Sequence, residues 1–287
     1  MGCAWNAYIT LLPPWLRPWV DNVGKDKLEE LRLRLGYPPQ MVLHCGCVTG
    51  SKVIDREDIS YCINAASKYS PWSASTIAQG YITAAGGHRI GICGDAVIQD
   101  GNVKGISVPR YLCLRVARDF PGVAQNASTN VGSVLIIGPP GSGKTTFLRD
   151  MVRNISSAGT GSVAVVDERR ELFPVTESGV CFYPGQNTDI LSGCLKPQGI
   201  DMVLRTMGPS AIAVDEITAE QDCKALIQAG WCGVQILATA HAKDKEDLYS
   251  RPLYRPLLES GLFEHLFILR RDKTWSRERM SACTTKY

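Results

Sequence analysis

At 287 residues, with 45% hydrophobic and 21% charged side chains, the chain has an ordinary soluble, globular composition and the length for one sizeable α/β core plus a smaller domain. A net charge of +3 is too small to argue for nucleic acid or an acidic membrane surface as a partner, and no run of about 18 apolar residues is available to span a bilayer. Eleven cysteines, an odd number scattered through apolar segments such as Ile92-Cys93 and Leu112-Cys113-Leu114, read as buried thiols of a reducing compartment.

The N-terminus has no early basic residue, and Pro13-Pro14 interrupts its short apolar stretch, so it does not read as a signal peptide and a cytoplasmic location is expected. Trp5, Trp15 and Trp19 lie among prolines, as a packed arm or a contact surface would place them. Leu28 and Leu31 suit a short helix, after which Leu31, Leu33 and Leu35 alternate with Arg32 and Arg34 as in a half-buried strand. His44-Cys45-Gly46-Cys47 lacks the C-x-x-C spacing of a zinc site and reads as strand and turn. Asp55 is an N-cap for a helix with Ile59, Cys62, Ile63 and Ala66 on one face, and Ser73 opens another that stops near Gly80. Tyr81 to Ala96 holds two β-like runs hinged at Gly86-Gly87, Asp100-Gly101 is a hairpin turn, and Tyr111 to Ala117 alternates as a strand. Residues 1–124 are therefore expected to form an α+β domain.

A polar stretch without periodicity makes residues 125–132 a linker, and residues 133–287 the second domain. Arg115 and Arg118, just before the linker, suit a solvated strand edge or, alternatively, contact with a nucleotide's phosphates. Ser133 to Ile137 is a buried strand that runs into Gly138-Pro139-Pro140-Gly141-Ser142-Gly143-Lys144-Thr145-Thr146. This matches G-x-x-x-x-G-K-[ST], where backbone N–H groups cradle a polyphosphate, Lys144 neutralises its outer oxygens and Thr145 ligates magnesium. A helix from Lys144, with Phe147, Leu148, Met151, Val152 and Ile155 at helical spacing, aims its positive end at the phosphates.

Three more apolar runs end in polar residues: Ser162 to Asp167-Glu168, Ala211 to Asp215-Glu216, and Gln235 to His241. Helical patterns at Gly199 to Met207, Thr218 to Ala229 and Lys245 to Leu258 supply the crossovers of a parallel sheet, so these ends converge on the crevice of the phosphate loop. Asp215 is expected to hold the metal through water and Glu216 to polarise the attacking water, with Glu168 the rival base and Thr239 or His241 a sensor of the γ-phosphate. A strand between those of the phosphate loop and the acidic pair predicts a RecA-like P-loop NTPase domain of the additional-strand, catalytic-glutamate type. Such proteins commonly form rings completed by an arginine in trans, for which Arg115, Arg118, Arg169, Arg170 and Arg205 are candidates.

Gly87 to Ala96, the phosphate loop, Val166-Asp167-Glu168-Arg169, Thr188 to Leu191, Lys196 to Ile200, Met207-Gly208-Pro209, Val214 to Ile217 and Ala238 to His241 together resemble the stage III sporulation protein AA family. The resemblance covers roughly Leu28 to Leu269, and the family is in turn similar to the traffic ATPases of type II and type IV secretion and pilus systems. It implies ATP and Mg²⁺ as ligands and a hexameric ATPase on the mother-cell side of the cytoplasm in an endospore former. It also implies docking on membrane or channel proteins of a secretion-like complex, with no nucleic acid as partner. Asn187 stands where a basic residue of the family is expected. The competing reading is a nucleic-acid-remodelling ATPase, which would require a basic groove with aromatic stacking platforms.

Overall fold

The computed structural model describes residues 2–67, 80–127, 132–159, 161–176 and 179–280. The chain divides into two compact units: residues 1–119 with 174–181, and residues 120–173 with 182–287.

In the first unit, helices Trp5–Thr10 and Arg17–Val23 precede strands β1 (Leu28–Arg34), β2 (Gln40–Leu43) and β3 (Gly46–Thr49). The helix Arg56–Ser67, then β4 (Tyr81–Thr83), β5 (Arg89–Gln99) and β6 (Asn102–Arg115) follow. The six strands form an antiparallel sheet in the order β3-β2-β1-β6-β5-β4. Tyr8, Leu11, Leu12, Leu16 and Val20 share one core with Leu28, Leu31 and Leu33. Trp15 donates to Asp58 and Trp5 to Asp21, each at 2.7 Å, so the Trp-rich stretch is packed into the unit. The expected helix at Leu28 is instead part of β1, because pairing on both sides, with β2 and β6, overrides the local spacing. The helix at Arg56 opens as expected: Asp55 accepts from the amide of Asp58 at 2.9 Å, and Asp58 from that of Asp55 at 3.2 Å. Asp100-Gly101 forms the β5–β6 turn with both φ positive, 53° and 74°. The helix expected at Ser73 lies outside the described residues. A short hairpin, β9 (Val175–Thr176) with β10 (Gly179–Val180), also belongs to this unit.

The second unit is built on β7 (Val134–Gly138), β8 (Val163–Asp167), β11 (Thr188–Ser192), β12 (Ala211–Val214), β13 (Gln235–His241), β14 (His265–Leu269) and β15 (Trp275–Arg279). They run in the order β11-β8-β12-β13-β7-β14-β15, and β13 is the strand between β7 and β12. All neighbours are parallel except β14 and β15. Every residue of β7, β8 and β12 is buried, which is why these strands are continuous apolar runs rather than alternating ones. Helices Lys144–Ser157, Lys196–Thr206 and Glu220–Trp231 cross between them. The single helix expected from Lys245 to Leu258 is two, Lys245–Ser250 and Arg255–Glu259. Arg251, ahead of Pro252, is extended (φ −87°, ψ 117°), as a residue before proline prefers.

The expectation for the cysteines needs correction. The ten among the described residues are all free, but only Cys62 and Cys223 are buried, and Cys45, Cys47, Cys93 and Cys232 are exposed. His44 pairs with Glu29 at 2.5 Å, and among the described residues no three His, Cys, Asp or Glu side chains cluster as a metal site would. No helix of the described residues is long and apolar enough to cross a membrane.

Candidate nucleotide site

The site is assembled at the carboxyl ends of β7, β12 and β13, where β7 runs into the glycine-rich loop and polar residues follow or end β12 and β13. The loop Gly138 to Gly143 turns from β7 into the helix Lys144–Ser157, with Gly141 and Gly143 at φ 75° and 100°. A Cβ at either glycine would meet no atom within 4 Å, so the glycines serve backbone conformation and leave the cradle open. Ser142 Oγ is buried without a hydrogen-bond partner. An orphaned hydroxyl inside a loop of this sequence fits a phosphate oxygen as its missing partner.

Lys144 is buried, and burial pulls its ammonium below the usual lysine range, while Asp215 and Glu216 pull the other way. Its Nζ donates to the carbonyls of Gly138 at 2.8 Å and Pro139 at 3.1 Å, and lies 3.2 Å from His241 Nδ1. Since an ammonium only donates, Nδ1 accepts there, and the neutral ring carries its proton on Nε2, which faces Glu216 Oε1. The other oxygen of Glu216 takes Arg169. Burial raises the Glu216 carboxyl, but His241, Arg169 and Lys144 outweigh it and hold the group below its ordinary value.

Asp215 accepts from Thr145 Oγ1 at 2.7 Å and from Thr239 Oγ1 at 2.5 Å. Thr239 is fully buried and also accepts the amide of Glu216 at 2.7 Å, which ties the two carboxylate-bearing residues together. A hydroxyl and a carboxylate side by side at the loop are the hard oxygen donors magnesium takes, so these residues fit that ion.

The phosphate loop, Lys144, Thr145, Asp215, Glu216 and His241 thus form one bonded network. Glu168 is not in it: its carboxylate binds Lys196 Nζ at 2.6 Å, and Lys196 also lies 3.9 Å from Asp222. Arg205 pairs with Asp201 one turn away on its own helix, and Arg170 packs against Gly193. Arg115 and Arg118 belong to the first unit; there Arg115 lies 3.5 Å from Glu30, and Arg118 donates to the carbonyls of Lys25 and Leu28. Asn187 is bonded to Ser156 through its amide and its side chain.

Two cations were not read as site residues from the sequence, one holding Glu168 outside the network and one touching the loop. Lys196, read only within the family-like stretch Lys196 to Ile200, is a buried cation whose partners, Glu168 just after β8 and Asp222 on the helix Glu220–Trp231, are remote in sequence. Lys273, in the β14–β15 turn at φ 70°, donates to the carbonyl of Gly141 at 2.5 Å. Its signal was the Asp272-Lys273 turn between two strands, of which β15 is too polar to be read as one.

The fold and this network define the class: a RecA-like P-loop NTPase. The profile of the family described as sporulation stage III, protein AA, matches residues 16–279, and the chain belongs to that family. The match extends past the span from Leu28 to Leu269 at both ends. The stage III sporulation protein AA of Bacillus subtilis (strain 168) is 34% identical over 285 residues, 93% of this chain and 92% of that protein. The ATPase DotB of Yersinia pseudotuberculosis superposes with a TM-score of 0.59 at 16% identity, over 94% of this chain and 79% of that one. The pilus retraction motor PilT, solved with bound ADP, gives 0.57 at 14% identity, over 84% and 74%. The chain is thus a stage III sporulation family protein with the fold of the ATPase DotB and the pilus retraction motor PilT.

Proposed function

We propose that the chain is a magnesium-dependent ATPase that works as a ring of six, coupling hydrolysis to work on a membrane channel complex of secretion type during endospore formation. It would act on the mother-cell side of the cytoplasm, peripheral to the membrane. The observation that carries the enzymatic part is the direct bonding of Lys144 and Thr145 to residues at the ends of β12 and β13. Loop N–H groups, Ser142 Oγ and Lys144 bind the phosphates. Thr145 and Asp215 would hold magnesium, which supplies charge neutralisation at the phosphate oxygens when bound. Glu216 accepts the proton of the attacking water, and His241 and Arg169 hold its carboxylate ionised for that role. Glu168, neutralised by Lys196, is left as a structural partner. The motor and its membrane partner rest on the similarity to the Bacillus subtilis protein, to DotB and to PilT.

Two variants test this. Lys144→Ala should lose ATP binding in calorimetry, whereas Glu216→Gln should bind ATP but turn it over roughly 100-fold or more slowly, the usual scale for a lost base. Wild-type binding by Lys144→Ala would overturn the loop assignment. Full turnover by Glu216→Gln together with a dead Glu168→Gln would move the base to β8.

A further inference from the structure

Lys196 is a cation in a place that neither solvation nor its own helix favours. Its side chain is 3% exposed, and it opens the helix Lys196–Thr206, where the positive end of the helix dipole opposes an ammonium. Two carboxylates offset that cost. Glu168, just after β8, accepts from Nζ at 2.6 Å, and Asp222 lies 3.9 Å away on the helix Glu220–Trp231.

Both partners belong to segments that lead to Glu216. Asp222, 4% exposed, is itself fixed, because its Oδ2 accepts the amides of Thr218 at 2.9 Å and Ala219 at 3.1 Å in the loop after β12. The carboxylate of Glu168 makes no other hydrogen bond among the described residues, so Lys196 alone determines where it is held. The next residue is Arg169, whose guanidinium bonds Glu216 Oε2. The arginine side chain is 50% exposed, and an exposed ion pair by itself holds geometry weakly. What fixes it is the turn behind it: Asp167 pins the later part through the amides of Glu171 and Phe173, and Glu168 pins the start through Lys196.

We propose that Lys196 is a positioning residue for hydrolysis, which by holding Glu168 sets the backbone from which Arg169 reaches Glu216. The proposal rests on the reading of Glu216 as the group that accepts the proton of the attacking water. The Lys196 ammonium bonds neither to the phosphate loop nor to Glu216, so its loss displaces the base and leaves the phosphate cradle as it is.

The test is a double-mutant cycle on ATP turnover, because effects that run through one residue do not add. Lys196→Met, which keeps the side chain's length and removes its charge, should lower kcat about tenfold, as a displaced catalytic group does. Its affinity for Mg-ATP, by isothermal titration calorimetry, should stay within about twofold of wild type, since the cradle is untouched. Arg169→Ala should also lower kcat, and adding Lys196→Met to it should cost less than about twofold more. Glu168→Gln should behave as Lys196→Met does in both backgrounds, and it decides if Lys196→Met fails a thermal-melt control. Losses that multiply in the double variant would overturn the proposal, as would wild-type turnover by Lys196→Met or Arg169→Ala, or an ATP affinity that falls along with kcat. Failure of the base assignment would look different, because Glu216→Gln would then turn over normally.

Discussion

Glu216 adopts φ 56°, one of four non-glycine residues among those described with positive φ. Such a conformation costs on the order of 1 kcal/mol or more and persists where surrounding bonds over-determine it. Here the amide is held by Thr239 and the carboxylate by Arg169 and His241. The Asp-Glu pair was legible in the sequence as chemistry, but its restraint was not, because Arg169 and His241 reach it from two other strands' ends. Asp167 shows the same division. It looked like half of a second acidic pair, yet it is 2% exposed and accepts the amides of Glu171 at 2.8 Å and Phe173 at 2.9 Å, closing the turn after β8. Burial pushes its carboxyl from 3.8 up to about 6, against those backbone donors. The folded state thus keeps a proton that the unfolded chain releases, and this contribution is present at low pH and lost as pH rises through about 6. The unfolding free energy of wild type minus that of Asp167→Asn should therefore fall by roughly 2–3 kcal/mol between pH 4 and pH 6.5 in urea titrations. A flat or rising difference would refute the assignment.

At the scale of elements, β7, β8 and β12 were legible because a strand buried on both faces must be apolar throughout. Of β2 and β3 only His44 to Cys47 was read, as strand and turn, and β15 was not read: β2 is four residues long, and β3 and β15 are sheet-edge strands, where pairing rather than composition makes the strand. The β5–β6 hairpin was read in pieces, since its register shifts at Cys93/Gly94 break the alternation. Gly94 sits in that irregularity with Val108 close by: a Cβ there would lie 1.9 Å from the Val108 carbonyl oxygen. Gly94→Ala must push the two backbones apart and should cost about 1–3 kcal/mol, the range for overpacking, with amide exchange speeding up in the outer half of the hairpin. Unchanged stability and protection would show that the hairpin yields freely.

For the whole molecule, the ring is the proposal most open to direct measurement. Glu216→Gln with Mg-ATP should hold the assembled state, and light scattering should report six times the 31.3 kDa chain. A mass that stays at one chain across the concentration range would remove the ring. A mixture of Arg115→Ala or Arg118→Ala subunits with Glu216→Gln subunits should regain turnover if an arginine acts in trans, because each kind supplies what the other lacks. No recovery, with the arginine variants fully active alone, would exclude both residues. Their present partners, Glu30 and the carbonyls of Lys25 and Leu28, are as compatible with holding the carboxyl end of β6 as with an arginine that acts on a neighbouring subunit.

By itself the sequence determined the phosphate loop, the helix behind it and the acidic strand ends, because these are local patterns: glycines for a turn, an apolar run for a buried strand, a helical period for one face. Only the tertiary structure decided which carboxylate stands beside Lys144. Glu168 and Glu216 each follow an aspartate at the end of a buried strand, and no spacing separates them. Strand order and neighbouring cations do: Lys196 neutralises one, and His241 on β13 turns the other toward the loop. The same holds for Lys196, whose partners Glu168, 28 residues back along the chain, and Asp222, on the helix Glu220–Trp231, become its neighbours only when β8 and the two helices pack together.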